Sequence, residues 1–161
     1  MSQLQNDTLY TRSAGRQLNS QENSNYYNIF TDGASRGNPG KSGIGVVIKD
    51  KSNKTLKEIK KYFPKLTNNQ AEYKALILSL DYLTSNNINK PSRFFTDSQL
   101  LANQINGNWK VKHPDIALLF KEAKALINKL DSFEISHIPR EENKEADRLA
   151  NAAIDEYSIY E

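Results

Sequence analysis

The sequence contains no cysteine, so disulfides, thiolate metal sites and cysteine nucleophiles are all excluded. Such a composition suits a reducing compartment. Long hydrophobic runs are also missing. The apolar runs are short, such as those at residues 44–48 and 75–80, far below the roughly 20 residues a membrane-spanning helix needs. No basic stretch followed by an apolar one opens the chain, as a secretory signal would. The expectation is a cytoplasmic protein with no membrane contact. Charge of one sign is scarce as well: the net charge is +3, too small an excess to argue for nucleic acid by itself. Its distribution says more. Lys49, Lys51, Lys54, Lys57, Lys60, Lys61 and Lys65 fall in one short stretch, opposed only by Asp50 and Glu58, which reads as a phosphate-facing stripe on a hairpin.

What is present fits one domain. A chain of 161 residues, 37% of them hydrophobic, supports a single proper core. Residues 1–26 are rich in Gln, Asn and Ser and show no apolar period; they read as a disordered polar tail. The folded domain is expected over residues 27–157. It opens with a strand at 26–30 that runs into Thr31-Asp32-Gly33, and the glycine-rich residues 33–40 read as turn punctuation. Further strands are expected at 43–48 and 56–63. The period then becomes helical over 71–83, with Asn68 or Asn69 as N-cap. A strand at 93–96 and a short helix at 100–105 follow. Ile116, Leu119, Phe120, Ala123, Leu126, Ile127 and Leu130 mark one face of a longer helix. A strand at 133–137 leads to a last helix striped by Ala146, Leu149, Ala150, Ala153 and Ile154. Hairpin-linked strands followed by helix-separated ones imply an α/β fold, a five-stranded mixed sheet flanked by helices.

Four acids stand where this fold can gather them. Asp32 and Asp97 each close a strand and share one end of the sheet if those strands are parallel neighbours. Glu72 and Asp147 each fall in the first turn of a helix. Singly, each has an ordinary explanation as a turn residue or a helix-dipole partner. Their neighbours change that. Asp32-Gly33-Ala34-Ser35-Arg36-Gly37-Asn38-Pro39-Gly40, Thr67-Asn68-Asn69-Gln70-Ala71-Glu72, Thr96-Asp97-Ser98-Gln99 and the run from His137 through Pro139, Arg140 and Asn143 to Asp147 and Ala150 resemble, in order, the four signatures of the type 1 ribonucleases H. Together they cover about residues 27–156.

The resemblance implies a ribonuclease H-like fold and an endonuclease that hydrolyses the RNA strand of RNA–DNA hybrids, leaving 5′-phosphate and 3′-hydroxyl ends. Asp32, Glu72, Asp97 and Asp147 would bind two Mg²⁺ ions, or Mn²⁺ in their place, with Asp32 as the bridging ligand. Hard divalent ions take oxygen ligands, and two of them activate a water and stabilise the leaving oxygen. Four crowded carboxylates should also hold protons above their usual range until metal relieves them. His137, expected in a polar loop, would assist proton transfer or product release. Contacts to the RNA 2′-hydroxyls would fall to Gly33, Ala34, Ser35, Asn38, Asn69 and Gln70. Contacts to the DNA strand would fall to Lys65, Thr67 and Asn108, with Trp109 and Lys110 next to them. His113 has no counterpart in the signatures and reads as a surface residue near a helix start.

Two departures from the resemblance stand out. Residues 107–115 connect almost directly to the next helix, so the basic protrusion of many relatives is missing, and the tail has no apolar core to form a hybrid-binding domain. Both bring the chain nearer the minimal branch, some members of which also cut double-stranded RNA. The expected state is a monomer. The alternative function is a non-catalytic hybrid- or RNA-binding module of the same fold, which a missing carboxylate would support.

Overall fold

Residues 26–159 are described in a computed structural model of the protein. Five strands, β1 (Tyr27–Arg36), β2 (Gly40–Asp50), β3 (Thr55–Leu66), β4 (Ser92–Thr96) and β5 (Phe133–His137), lie in the order β3-β2-β1-β4-β5. The pairs β1–β2 and β2–β3 are antiparallel, whereas β1–β4 and β4–β5 are parallel. The mixed sheet read from the sequence is the one found. The described helices are α1 (Asn68–Ser85), α2 (Gln99–Ile105), α3 (Pro114–Ile127) and α4 (Lys144–Ile159), with a 3-10 turn at Arg140–Glu142 before α4.

Strand alternation divides the apolar residues between two faces. Ile29, Ile44, Val46 and Ile48 point to one side, where they meet Tyr73, Leu76, Leu80 and Leu83 of α1 together with Phe94 and Ile135. Val47 points to the other, against Ala146 and Leu149 of α4 and the half-buried Phe30. Gly43 and Gly45 share that second face. A Cβ on Gly43 would lie 2.1 Å from the Ala150 carbonyl oxygen, and one on Gly45 2.2 Å from that of Ala146. Helix α4 therefore rests almost backbone on backbone, which explains the alanines of its stripe. Polar staples flank this seat: Lys49 to Glu145 at 3.1 Å, Arg148 to Glu58 at 3.7 Å, Lys60 to Glu156, and Tyr62 stacked on Tyr157.

Two boundaries differ from the expectation, and a third falls where the structure is not described. First, β1 does not end at Asp32 but pairs with β2 as far as Arg36, opposite Lys41. The true turn spans residues 37–39, with Gly37 at φ +104. Gly33 is not a turn residue; it is there because a Cβ would lie 2.3 Å from the backbone carbon of Ala71. Second, α1 is capped by Thr67 rather than by an asparagine. Its hydroxyl accepts from the Gln70 N–H at 3.1 Å, and Gln70 Oε1 accepts from the Thr67 N–H at 2.9 Å, a reciprocal capping box. Third, the expected tail over residues 1–26 lies outside the described residues except for Tyr26, whose ring sits 4.2 Å from the Arg93 guanidinium. Between α2 and α3 there are only the eight residues 106–113, so no protrusion is built there.

Candidate active site

The site forms where the parallel part of the sheet stops and the hairpin continues. Thr31 and Thr96 are the last partners of β1 and β4. Asp32 and Asp97 follow them and emerge side by side, as parallel pairing requires. Beyond this point β4 turns away, and the Thr31 carbonyl accepts instead from Nδ2 of Asn143 at 2.9 Å. Asn143 is 1% exposed and precedes α4, so this bond ties the start of that helix to the end of the parallel pairing.

Glu72 falls in the second turn of α1 rather than the first, because the cap, Thr67, lies one or two residues before the expected asparagines. The close approach at Gly33 brings it down, and the Gly33 N–H donates to Glu72 Oε1 at 3.0 Å. Oxygens of Asp32, Glu72 and Asp97 all lie within 4.8 Å of one another. Asp147, in the first turn of α4, lines the same cavity and completes the quartet. A cavity of about 450 Å³ opens over these acids, walled also by Gly33, Ala34, Ser35, Arg36, Arg140 and Asn151.

The electrostatics follow from this crowding. Asp32 is 4% exposed; its carboxyl is pushed up to about 10, first by burial and then by the charges of Glu72 and Asp97, with Asp147 adding to them. Glu72 is pushed up to about 8 by burial and by Asp97, while the Gly33 N–H and Arg140 act in the opposite direction. An all-carboxylate set in which burial and mutual repulsion keep Asp32 and Glu72 protonated fits a hard dication.

His137 is the last residue of β5, opposite Thr96, and is exposed. The expected strand over 133–137 is found, and His137 ends it instead of lying in the polar loop that follows: the Ile138 N–H still donates to the Thr96 carbonyl at 2.9 Å, so β-type bonding continues past the histidine. It stands one strand over from Asp97 and is not among the residues walling the acidic cavity.

A second cavity, of about 490 Å³, gathers Asn38, Thr67, Asn69 and Gln70 with Trp109 and Lys110. Asn38 Oδ1 accepts from the Asn68 N–H at 3.0 Å, which joins the β1–β2 turn to the start of α1. Lys65 and Asn108 are exposed and line neither cavity. His113, read as a surface residue, caps α3 through Nδ1 and also lines this cavity with Lys112 and Asp115. The lysine stripe is not a single stripe. Lys49 and Lys60 turn to α4 and its glutamates, while Lys57 and Lys61 lie over the Tyr82 and Phe63 rings. Alternation along a strand sends neighbouring lysines to opposite faces.

The sequence names Arg140 and Asn143 only as members of the fourth signature, with no role at the site, and Asn151 not at all. Asn151 had one available signal, its position four residues after Asp147 on the same helix.

This strand order, with acids gathered at the carboxyl end of its parallel strands, defines a protein of the ribonuclease H-like fold. The family described as Reverse transcriptase-like matches residues 30–153. A bifunctional protein of Mycobacterium tuberculosis is 41% identical over 128 residues, covering 79% of this chain and 35% of that protein. The solved N-terminal RNase H domain of that protein superposes with a TM-score of 0.79 at 38% identity, over 85% of this chain and 99% of the domain. Ribonuclease HI of Halobacterium salinarum is 37% identical over 79% of this chain and 63% of its own. LC11-RNase H1, solved in complex with RNA/DNA hybrid, gives a TM-score of 0.78 at 39% identity, over 81% of this chain and 98% of its own. The chain belongs to the type 1 ribonuclease H family. It spans about a third of the length of the mycobacterial protein.

Proposed function

We propose that this protein is an endonuclease that hydrolyses the RNA strand of an RNA–DNA hybrid, acting as a cytoplasmic monomer. The observation that carries this reading is the cluster itself: three carboxylates with oxygens within 4.8 Å of one another, and a fourth lining the same cavity. That all four acids are present and gathered removes the support for a non-catalytic binding module. In the reading, Asp32, Glu72, Asp97 and Asp147 hold two Mg²⁺ ions, with Mn²⁺ as a substitute. When bound, such ions supply an activated water and stabilise charge on the leaving oxygen, which yields 5′-phosphate and 3′-hydroxyl ends.

The chain's own residues do the rest. Burial of Asp32 keeps bulk water from screening the site, and the Gly33 N–H holds one oxygen of Glu72. His137, exposed at the strand end beside Asp97, is the group placed to exchange a proton with solvent. Backbone groups of Gly33, Ala34 and Ser35 face the RNA strand, while Asn38, Asn69 and Gln70 line the neighbouring cavity and meet the minor groove, where the 2′-hydroxyls lie. Lys65, Thr67 and Asn108 lie further out, for the DNA phosphates. The hybrid bound by the similar LC11-RNase H1 supports this choice of substrate.

The test is cleavage of end-labelled RNA–DNA, RNA–RNA and DNA–DNA duplexes with and without Mg²⁺. Hybrid cleavage that needs the ion and disappears in Asp32→Asn is the expected result. Undiminished activity in Asp32→Asn, or cutting of DNA–DNA alone, refutes the reading; cutting of RNA–RNA beside the hybrid widens the substrate class.

A further inference from the structure

Helix α4 carries Asp147, Asn151 and Asp155 at four-residue intervals, so the three share one face. Arg36, the last residue of β1, reaches that face. Its Nη1 donates to Asp155 Oδ1 at 2.6 Å and its Nη2 to Asn151 Oδ1 at 3.1 Å. Asn151 Nδ2 donates in turn to Asp147 Oδ1 at 3.2 Å and to the Asp147 carbonyl at 3.0 Å. Arg140 Nη2 is 3.9 Å from the same carboxylate oxygen, beyond hydrogen-bond reach, so Asn151 is the nearer donor.

Chemistry fixes the direction of this chain of bonds. A guanidinium carries donors and no acceptor, so the Asn151 atom that meets Arg36 must be the amide oxygen. The amide nitrogen is then obliged to face Asp147. With the amide reversed, an oxygen would stand against a carboxylate and an NH₂ against a guanidinium. Asp155 holds the other arm of the fork and so sets the plane of Arg36. As an ion pair this contact adds little stability, because the two side chains are 46% and 64% exposed. Its effect is geometric. Arg36 lies four residues beyond Asp32 on the same strand, so the bonds refer an acid on α4 to an acid on β1.

We propose that Arg36, Asn151 and Asp155 form a positioning relay that holds Asp147 Oδ1 in one hydrogen bond and thereby presents the carboxylate to a divalent cation in a single orientation. The relay rests on the reading of Asp147 as a cation ligand. None of its members touches the reacting atoms; they act through Asp147.

The test is calorimetric titration of Mn²⁺ into the full chain, for wild type, Asp147→Asn, Arg36→Met, Arg36→Lys, Asn151→Ala, the Arg36→Met/Asn151→Ala double variant and Lys60→Met. Loss of an outer partner of a metal ligand typically weakens binding 10–100-fold, and roughly 10-fold is expected for Arg36→Met and for Asn151→Ala. The double variant is no weaker than the worse single one, because both break one chain of bonds. Arg36→Lys recovers little, since an ammonium lacks the planar fork. Lys60→Met removes a comparable exposed staple of α4, the Lys60–Glu156 pair, and leaves affinity within about twofold. In steady-state assays the relay variants lose kcat at limiting metal, regain it at high metal, and keep KM for the hybrid. If Asp147→Asn binds Mn²⁺ like wild type, the ligand reading fails and the relay with it. If Asp147→Asn is impaired while Arg36→Met and Asn151→Ala bind normally, the relay alone is overturned. Equal losses in Lys60→Met and Arg36→Met also overturn it, because helix seating then accounts for the effect.

Discussion

The acidic cluster should make the metal-free protein less stable as pH rises through neutrality, and the structure sets the size of the effect. In the folded protein Asp32 goes from 3.8 to about 10 and Glu72 from 4.5 to about 8. A carboxyl raised on folding binds its proton more tightly in the folded state. Its stabilising contribution is complete below the unfolded value and is lost as pH climbs through the folded one. Between about pH 5 and pH 7.5 the unfolded chain has released both protons, while the folded cluster keeps at least one. One retained proton corresponds to about 1.4 kcal/mol lost per pH unit, or about 3 kcal/mol across the window. Urea unfolding in the presence of a chelator, followed by circular dichroism, measures it directly. Asp32→Asn replaces the carboxyl with a group that stays neutral throughout, so its slope should be much shallower. Saturating Mg²⁺ reverses the trend, since the ion binds the deprotonated acids. Parallel pH profiles for wild type and Asp32→Asn in chelator, within about 0.5 kcal/mol, would refute the reasoning.

Other expectations follow from single contacts. His137→Ala should lower kcat by about 10²–10⁴-fold and leave KM for the hybrid nearly unchanged; wild-type turnover at saturating substrate and metal would make His137 only an exposed strand-end residue. Gly45→Ala should destabilise by at least the usual 1–3 kcal/mol of overpacking, because its Cβ would meet the Ala146 carbonyl oxygen at 2.2 Å; an unchanged urea midpoint contradicts the seating of α4. Tyr73→Phe strands Gln104 Oε1, which accepts from the buried phenol at 2.7 Å, and should cost about 1–3 kcal/mol in chemical unfolding with activity per folded molecule retained.

Periodicity made most of the fold legible. The short apolar run of 44–48 and the i, i+3, i+4 stripe of 116–130 report a strand buried on both faces and a helix buried on one, properties each segment carries in its own residues. The carboxylates were legible for another reason: each sits inside a local signature. What stayed hidden depends on the approach of distant segments. Gly33 and Gly45 look like turn or flexible residues in the sequence, yet they are small because a helix backbone lies against them. Thr67 became the cap because its hydroxyl and Gln70 satisfy each other's backbone groups, which leaves Asn68 and Asn69 inside the helix. Arg36 carries no period at all, and its partners lie more than a hundred residues away. The lysines of β2 and β3 appear as one cluster in sequence and as two faces in space.

The seating of α4 also has a temporal consequence. Asp32, Glu72 and Asp97 reside in elements made early, whereas Asp147 belongs to the last helix described, whose stripe has nothing to pack on until the sheet exists. A chain emerging during synthesis can thus assemble four strands, their covering helix and three of the four acids while the fourth is still being made. The final ligand arrives with the segment that closes the second face of the sheet, so completion of the fold and completion of the site are one event.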